Sequence, residues 1–385
     1  MLYTLVMNNA QEALEAHKIL RGKIKIELKE PLENPEQLGL YYTPGVAAVS
    51  SLLANNPEET HNYTWTNNNV AVISDGSAVL GLGNIGPQGA LPVMEGKSML
   101  FKHFADIDAV PIVLDVHSVD EIVAAVKAIA PSFGGINLED IAAPQCFEIE
   151  RRLIEELSIP VMHDDQHGTA IVVLAGLINA AQLRNKPIEE SKIVIVGAGA
   201  AGIAIAKLLH TYAAPTIIMV DSKGIIDKSR TDLNSTKIDL LTFTNPSNVT
   251  GGLSQALEDA DIFIGVSQPG LLTSELIHIM AKDPVIFAMA NPIPEIMPDE
   301  AKKAGAFIIA TGRSDFPNQV NNALAFPGIF KGALDNRIRS IDTEHKIAAA
   351  QKIANLVDEP TPDNIIPSIF DERLVPAISA LFKEL

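Results

Sequence analysis

The run His163-Asp-Asp-Gln-His167 brackets two aspartates with two histidines four residues apart. On one continuous helix that spacing puts both imidazoles on a single face, where they can hold zinc with Asp164 in the place of the acid. Ile159-Pro-Val161 just ahead reads as a strand, however, and the helix is expected to begin only near Gly168. The histidines are then not on a shared helix face and are expected to frame a site rather than ligate in it. The carboxylates are the stronger candidates. Glu139 and Asp140 follow the run Ile136-Asn-Leu138, and Asp165 follows Ile159-Pro-Val161. In open parallel sheets, sites form beyond the carboxyl ends of strands. A set of Glu and Asp oxygens there suits Mg²⁺ or Mn²⁺, hard cations that keep positions open for water and substrate. Taken singly, each acid is as readily solvated or a helix N-cap, a role Asp164 and Asp165 can both fill.

A second chemistry is written in Gly197-Ala-Gly-Ala-Ala-Gly202, which follows the strand-like run Ile193-Val-Ile-Val196 and opens a helix. Gly197 permits a tight turn, Gly199 lets backbone approach a pyrophosphate, and Gly202 allows close helix–strand packing. Ala200 and Ala201 lie in the first helical turn, whose free N–H groups and positive dipole end favour phosphate. Asp221 ends the next strand, at about the expected twenty residues on, where a carboxylate hydrogen-bonds the adenine ribose. Strand, glycines, helix, strand and acid in this order point to a nicotinamide or flavin dinucleotide. Asp221 would repel a 2′-phosphate, which favours NAD; Lys223, two residues on, would attract one, so NADP stays open.

The elements that must position these residues alternate. Val70–Ile73 and Val110–Leu114 read as buried strands separated by a helix over 89–104, and Val119–Ala130 and Phe147–Leu157 read as further helices. Strand runs Thr216–Val220, Ile262–Gly265, Val285–Ala288 and Phe307–Ala310 continue the second series, with a helix from Ala200 to Leu209. Alternation of this kind gives parallel sheets with helices on both faces. The fold class is therefore α/β with two domains, each a mainly parallel sheet flanked by helices, the second of Rossmann type. The expected division is 1–163 for substrate and metal, 164–321 for NAD(P), and a helical tail, 322–385, packing back on the first. A helix is expected over 10–20, and loops with short helices around Pro31, Pro35 and Pro44.

With 29 basic and 47 acidic residues the net charge is −18, which argues against a general nucleic-acid-binding surface. Cys146 is the single cysteine, so no intrachain disulfide forms, as expected in a reducing cytosol. The start Met1-Leu-Tyr-Thr-Leu-Val-Met7 lacks the basic opening and long apolar run of a signal peptide, and Ala170–Ala181 is too short to span a bilayer. A cytoplasmic protein with no membrane association is expected.

Several segments, taken together, resemble one family. Tyr42-Thr-Pro-Gly-Val46, Gly81-Leu-Gly-Asn-Ile-Gly86, Pro92-Val-Met-Glu-Gly-Lys97, Leu138-Glu-Asp140, His163–Ala170, Ala290-Asn-Pro292, Asn321-Asn322 and Phe326-Pro-Gly328 are similar, in uninterrupted order from about residue 38 to 335, to the malic enzymes, most of all the short bacterial form. The resemblance implies oxidative decarboxylation of L-malate to pyruvate and CO₂, with NAD(P)⁺ reduced and a divalent cation required. It implies Glu139, Asp140 and Asp165 as metal ligands, Lys97 as general base and Tyr42 as general acid. It further implies Asp164 as the acid beside them, Asn291 and Asn322 as substrate amides, with Asn291 also on the cofactor, and a homodimer; Tyr42 lies far enough ahead of the sheets to be a candidate for supply by the partner. Tyr41, next door, is expected to pack.

The chain departs from the family in one place. Larger animal and plant members carry an arginine just before Gly-Leu-Gly, where this sequence has Ser77 and Ala78; Asn amides, backbone donors or Arg313 are left to grip the substrate carboxylate. Three rivals keep part of the pattern: a metal-dependent oxaloacetate decarboxylase, an amino-acid dehydrogenase that would leave the three acids idle, and an NAD-binding sensor without catalysis. The intact Gly197–Asp221 unit together with base, acid and ligands favours the redox enzyme.

Overall fold

Short β-branched runs bounded by Gly, Asn or Asp become the strands of two sheets in the computed structural model, which describes residues 2–79 and 81–383. The first sheet is made of β1 (Asn69–Ser74), β2 (Asp108–Val113), β3 (Gly135–Leu138) and β4 (Val161–His163), in the order β2-β1-β3-β4 with every pair parallel. The second is made of β5 (Lys192–Val196), β6 (Thr216–Asp221), β7 (Gly224–Ile225), β8 (Ile262–Gly265), β9 (Val285–Ala288) and β10 (Ile308–Thr311). Its order is β10-β9-β8-β5-β6-β7, parallel except for the two-residue edge strand β7, which pairs antiparallel with β6. In each sheet the chain starts centrally and later crosses to the other side. The reversal leaves a crevice at the strand ends, between β1 and β3 in one sheet and between β5 and β8 in the other.

Period-two side-chain alternation feeds different cores. Val70 and Val72 face one core while Ala71 and Ile73 face another; Ile193 and Ile195 share the core of Val70, while Val194 and Val196 enter a third. The core common to both sheets is built around the helix Asp164–Arg184, whose Ile171 to Ala175 and Leu177 are fully buried. A helix apolar all round is a buried one, and this one lies between the sheets. Phe326 and Phe330 of the helix Phe326–Asp335 pack on Phe101 of the helix Gly86–Ala105, with ring centroids 4.6 and 5.4 Å apart. The helix Thr343–Asn355 packs on Asp164–Arg184. Among the described residues no helix is long and apolar enough to cross a membrane.

Two local expectations need correction. The helix expected near Gly168 begins at Asp164, directly after β4. Two aspartates in the first turn complement the positive end of the helix dipole, so they start the helix rather than precede it. The strand expected over 159–161 is displaced to 161–163 because Pro160 has no N–H to pair; it contributes only its carbonyl, which accepts from Ile136 N–H at 2.9 Å.

Candidate active site

The crevice of the first sheet collects the acids. Ligand oxygens of Glu139, Asp140 and Asp165 lie within 4.8 Å of one another. Asp140 adopts a left-handed conformation (φ +53°), which turns its backbone N–H to Asp165 Oδ2 at 2.7 Å. Asn137, inside β3, donates to Glu139 Oε2 at 2.9 Å. Lys97 reaches in from the helix Gly86–Ala105, 7% exposed, and its ammonium lies 2.6 Å from Asp164 Oδ2 and 2.9 Å from Glu139 Oε1, above the Phe326 ring at 4.3 Å. Burial alone would lower the lysine, but Asp164 and Glu139 outweigh it and hold the ammonium well above the usual lysine range. Burial pushes the carboxyls of Glu139 and Asp164 up, with Lys97 opposing. Asp165, partly exposed unlike its neighbours, is pushed up by what burial it has but held down overall by His163.

The two histidines do not form a ligand pair. His163 caps the helix, with Nε2 3.2 Å from Asp165 Oδ2 and Nδ1 2.9 Å from the Gln166 amide. His167 Nε2 lies 2.9 Å from Glu150 Oε1. The buried Glu150 also accepts the His163 backbone N–H at 2.8 Å and the Gln166 side chain at 3.1 Å, so a single carboxylate holds the first turn that presents Asp164 and Asp165.

Glycines record how closely the substrate side is drawn together. A Cβ on Gly168 would stand 1.9 Å from Asp164 Oδ1 and 2.9 Å from Asn322 Cβ, so Asn322 borders Asp164 only because that position is bare. A Cβ on Gly81 would meet the Asn291 carbonyl at 2.1 Å, and one on Gly312 the Asn291 side-chain nitrogen at 2.8 Å. Ser77 and Ala78, in the place of the larger enzymes' arginine, stitch the crevice: Ser77 Oγ accepts from Ala142 N–H at 2.9 Å and Ala78 N–H donates to Asp140 O at 3.0 Å. Arg313 is beside Asn291 in the chain fold, but its guanidinium is engaged by Asp315 at 2.7 Å and by the Pro292 carbonyl at 3.2 Å.

Tyr42 and Lys97 share no hydrogen bond among the described residues. Tyr42 is 66% exposed and its hydroxyl has no hydrogen bond among the described residues; Tyr41, expected to pack, is 56% exposed. Both lie in the segment 35–55, whose two helices bury no residue.

In the second crevice Gly197 (φ +114°) leaves no room for a side chain, since a Cβ would meet Val266 O at 2.6 Å; one on Gly202 would meet Gly197 O at 1.8 Å. Gly199, at the N-cap of Ala200–Ala213, has nothing within 4 Å of its Cβ position, an open cradle ahead of the free N–H groups of Ala200 and Ala201. Asp221 ends β6 as expected but is not a free acid. Arg230 Nη1 lies 2.8 Å and Lys237 Nζ 2.6 Å from its carboxylate, and these partners hold it down at about 2 despite its burial. Lys223 instead pairs with Asp232 at 2.8 Å.

The chain matches the malic enzyme N-terminal domain over residues 21–154 and the malic enzyme NAD binding domain over 166–380. It belongs to the malic enzyme family. The bifunctional malic/malolactic enzyme of Bacillus subtilis (strain 168) is 55% identical over 376 residues, covering 97% of this chain and 92% of that protein. The NADP-dependent malic enzyme of Halomonas elongata is 47% identical, covering 96% and 92%. The crystal structure of the NAD-dependent malic enzyme of Thermotoga maritima superposes with a TM-score of 0.94 at 53% identity, covering 96% of this chain and 98% of that one.

Sequence reasoning missed several groups that shape the two crevices. Glu295 is fully buried and accepts backbone N–H groups from Ser267 at 3.1 Å and Ala290 at 3.0 Å, tying the loop after β8 to the loop that carries Asn291. Its signal was a carboxylate inside the apolar, proline-rich run Asn291-Pro-Ile-Pro-Glu-Ile296. Glu150, Arg230 and Lys237 carry no comparable signal, because their partners are 9 to 17 residues away on other elements.

Proposed function

We propose that the chain oxidatively decarboxylates L-malate to pyruvate and CO₂, reducing NAD⁺ or NADP⁺, with a divalent cation held by Glu139, Asp140 and Asp165. The observation that carries this reading is a buried lysine touching two carboxylates at the rim of a three-acid cluster. The donor set fits a hard cation: carboxylate oxygens only, within 4.8 Å of one another. When bound, Mg²⁺ or Mn²⁺ supplies Lewis-acid polarisation of the oxygens at C1 and C2.

The remaining work falls to side chains. Asp164 and Glu139 hold Lys97 as the ammonium, so to act as base it first passes a proton to Asp164, 2.6 Å away, whose carboxyl burial pushes up; the amine then takes the C2 hydroxyl proton while C2 gives its hydride to NAD(P)⁺. Asn291 and Asn322 donate amide N–H groups to the substrate carboxylates, a role that neutral amides fill without adding charge. Glu295 fixes the loop of Asn291. Loss of CO₂ leaves the enolate of pyruvate, which needs one proton at C3 to become pyruvate, and the donor is Tyr42 of the partner subunit in a homodimer. Its 66% exposure, amid the exposed Leu38, Leu40 and Tyr41, supports supply from a second copy. The same reading divides the chain into 1–163 with 322–385 and 164–321, which the packing of Phe326 and Phe330 on Phe101 supports. The lone buried thiol, Cys146, supports a reducing, cytoplasmic setting.

The test uses EDTA-treated protein with L-malate and NAD⁺ or NADP⁺, with and without Mn²⁺, following cofactor reduction and pyruvate. Cation-dependent formation of both is expected. Loss of oxaloacetate without any cofactor reduction from malate would replace this reading with the decarboxylase.

A further inference from the structure

At the far end of the dinucleotide crevice, Asp221 has no acceptor capacity left. The Gly197 turn is adjacent to it, with Gly197 N–H donating to Val220 O at 2.9 Å. Oδ1 of Asp221 accepts the Lys223 backbone N–H at 2.9 Å and Arg230 Nη1 at 2.8 Å. Oδ2 accepts Arg230 Nη2 at 3.1 Å and Lys237 Nζ at 2.6 Å. A carboxylate offers about four lone-pair sites, so these donors fill it and leave none for a ribose hydroxyl. The wider cluster holds Lys223, Arg230 and Lys237 against Asp221 and Asp232, with Arg230 and Lys223 both on Asp232 at 2.8 Å. Positive charge is in excess beside the adenine ribose position. Arg230 and Lys237 are 12% and 24% exposed, so the excess is held in a fixed place rather than on waving surface chains.

A free strand-end acid repels a 2′-phosphate; an acid saturated by a guanidinium fork and an ammonium does not, because its partners are the groups that bind phosphate. We propose that Arg230 and Lys237 form a seat for the 2′-phosphate of NADP(H), with the Asp221 carboxylate standing in for that anion when NAD(H) is used, so that the chain accepts both cofactors. The proposal rests on reading Gly197–Gly202 as the dinucleotide site. It reverses the preference for NAD drawn from Asp221 in the sequence and moves the phosphate-attracting role from Lys223 to two residues further along the chain.

Direct binding of NADH and NADPH, followed by the fluorescence of the reduced nicotinamide, tests it without turnover. The wild-type chain is expected to bind the two with Kd values within about tenfold of each other. Lys237→Ala should weaken NADPH by about tenfold or more while moving NADH less than about threefold, the scale of one charge-assisted bond to phosphate. Asp221→Asn should tighten NADPH relative to NADH. Lys237→Ala is the safer variant, since its side chain is less buried than that of Arg230, and Arg230→Lys tests the fork separately. Equal shifts in both cofactors for Lys237→Ala, or a wild type that prefers NADH by more than about a hundredfold, overturn the seat but leave the dinucleotide site standing. Failure of the wild type to bind either cofactor overturns the site itself, and the seat with it.

Discussion

Two strand-end clusters in this molecule carry opposite imbalances. Beyond β3 and β4, Glu139, Asp140 and Asp165 gather their oxygens, Lys97 reaches Glu139 and the neighbouring Asp164, and His163 lies 3.2 Å from Asp165. Beyond β6, two aspartates face three cations. Burying like charges without compensation is costly, so each cluster identifies by its deficit what it is built to receive: a cation in the first, an anion in the second. A strand-end acid therefore has no fixed meaning. Its role depends on which neighbours the fold brings to it.

The largest expected effect breaks the first cluster. Lys97→Ala and Tyr42→Phe should each lower turnover by about a thousandfold, the usual scale for removing a general base or acid. If Tyr42 acts across a homodimer, mixing the two inactive variants after dissociation should restore about a quarter of wild-type activity, because half of the dimers then hold one intact site of two. No recovery would return Tyr42 to its own chain's site. The second effect tests the deficit itself. Saturating Mn²⁺ should raise the melting temperature by roughly 5 °C, and Asp165→Asn should remove that rise; a cation-independent melting temperature would mean that the four acids do not await a metal.

The smallest effect uses a balanced acid as the control. Burial pushes Glu150 up, but His167 outweighs it and the carboxyl is held at about 2. A folded pKa below the unfolded one makes the contribution complete above the usual Glu range and lost as pH falls from about 4.5 towards 2. Glu150→Gln should therefore be less stable at neutral pH by about 2 kcal/mol, the scale of weakening a charged buried acceptor, with the gap closing on acidification in denaturant titrations. Parallel stability curves would mean that Glu150 does not titrate with folding.

The sheets were legible because most strands are buried on both faces, so runs such as Val70–Ile73 and Val285–Ala288 stand out as unbroken apolar blocks; the edge strand β2, expected to be buried, is only half-buried. The two-residue β7 and the short helices 235–240, 253–257, 274–278 and 298–303 are too brief to leave a period and were not read. The glycine turn was legible because its strand, glycines, helix and next strand are contiguous. Glu139, Asp140 and Asp165 were expected at strand ends, and the structure brings their oxygens together. The state of Asp221 was hidden, because its partners Arg230 and Lys237 arrive through the loop after β7 and a short helix that the pattern does not announce. Tyr42 shows a different limit: its type and neighbours were readable, but its 66% exposure in a segment whose helices bury no residue was not.

The helix Asp164–Arg184 has a charged tip in the acid cluster and an apolar body in the core shared by both sheets. Stability and catalysis are thus written on the same rod. A substitution at Leu174 or Val172, chosen only to repack the interior, also re-aims Asp164 and Asp165 through the backbone that joins them. Drift in this core is filtered twice, once for folding and once for turnover, whereas the exposed segment 35–55 is free of the first filter and answers only to the second.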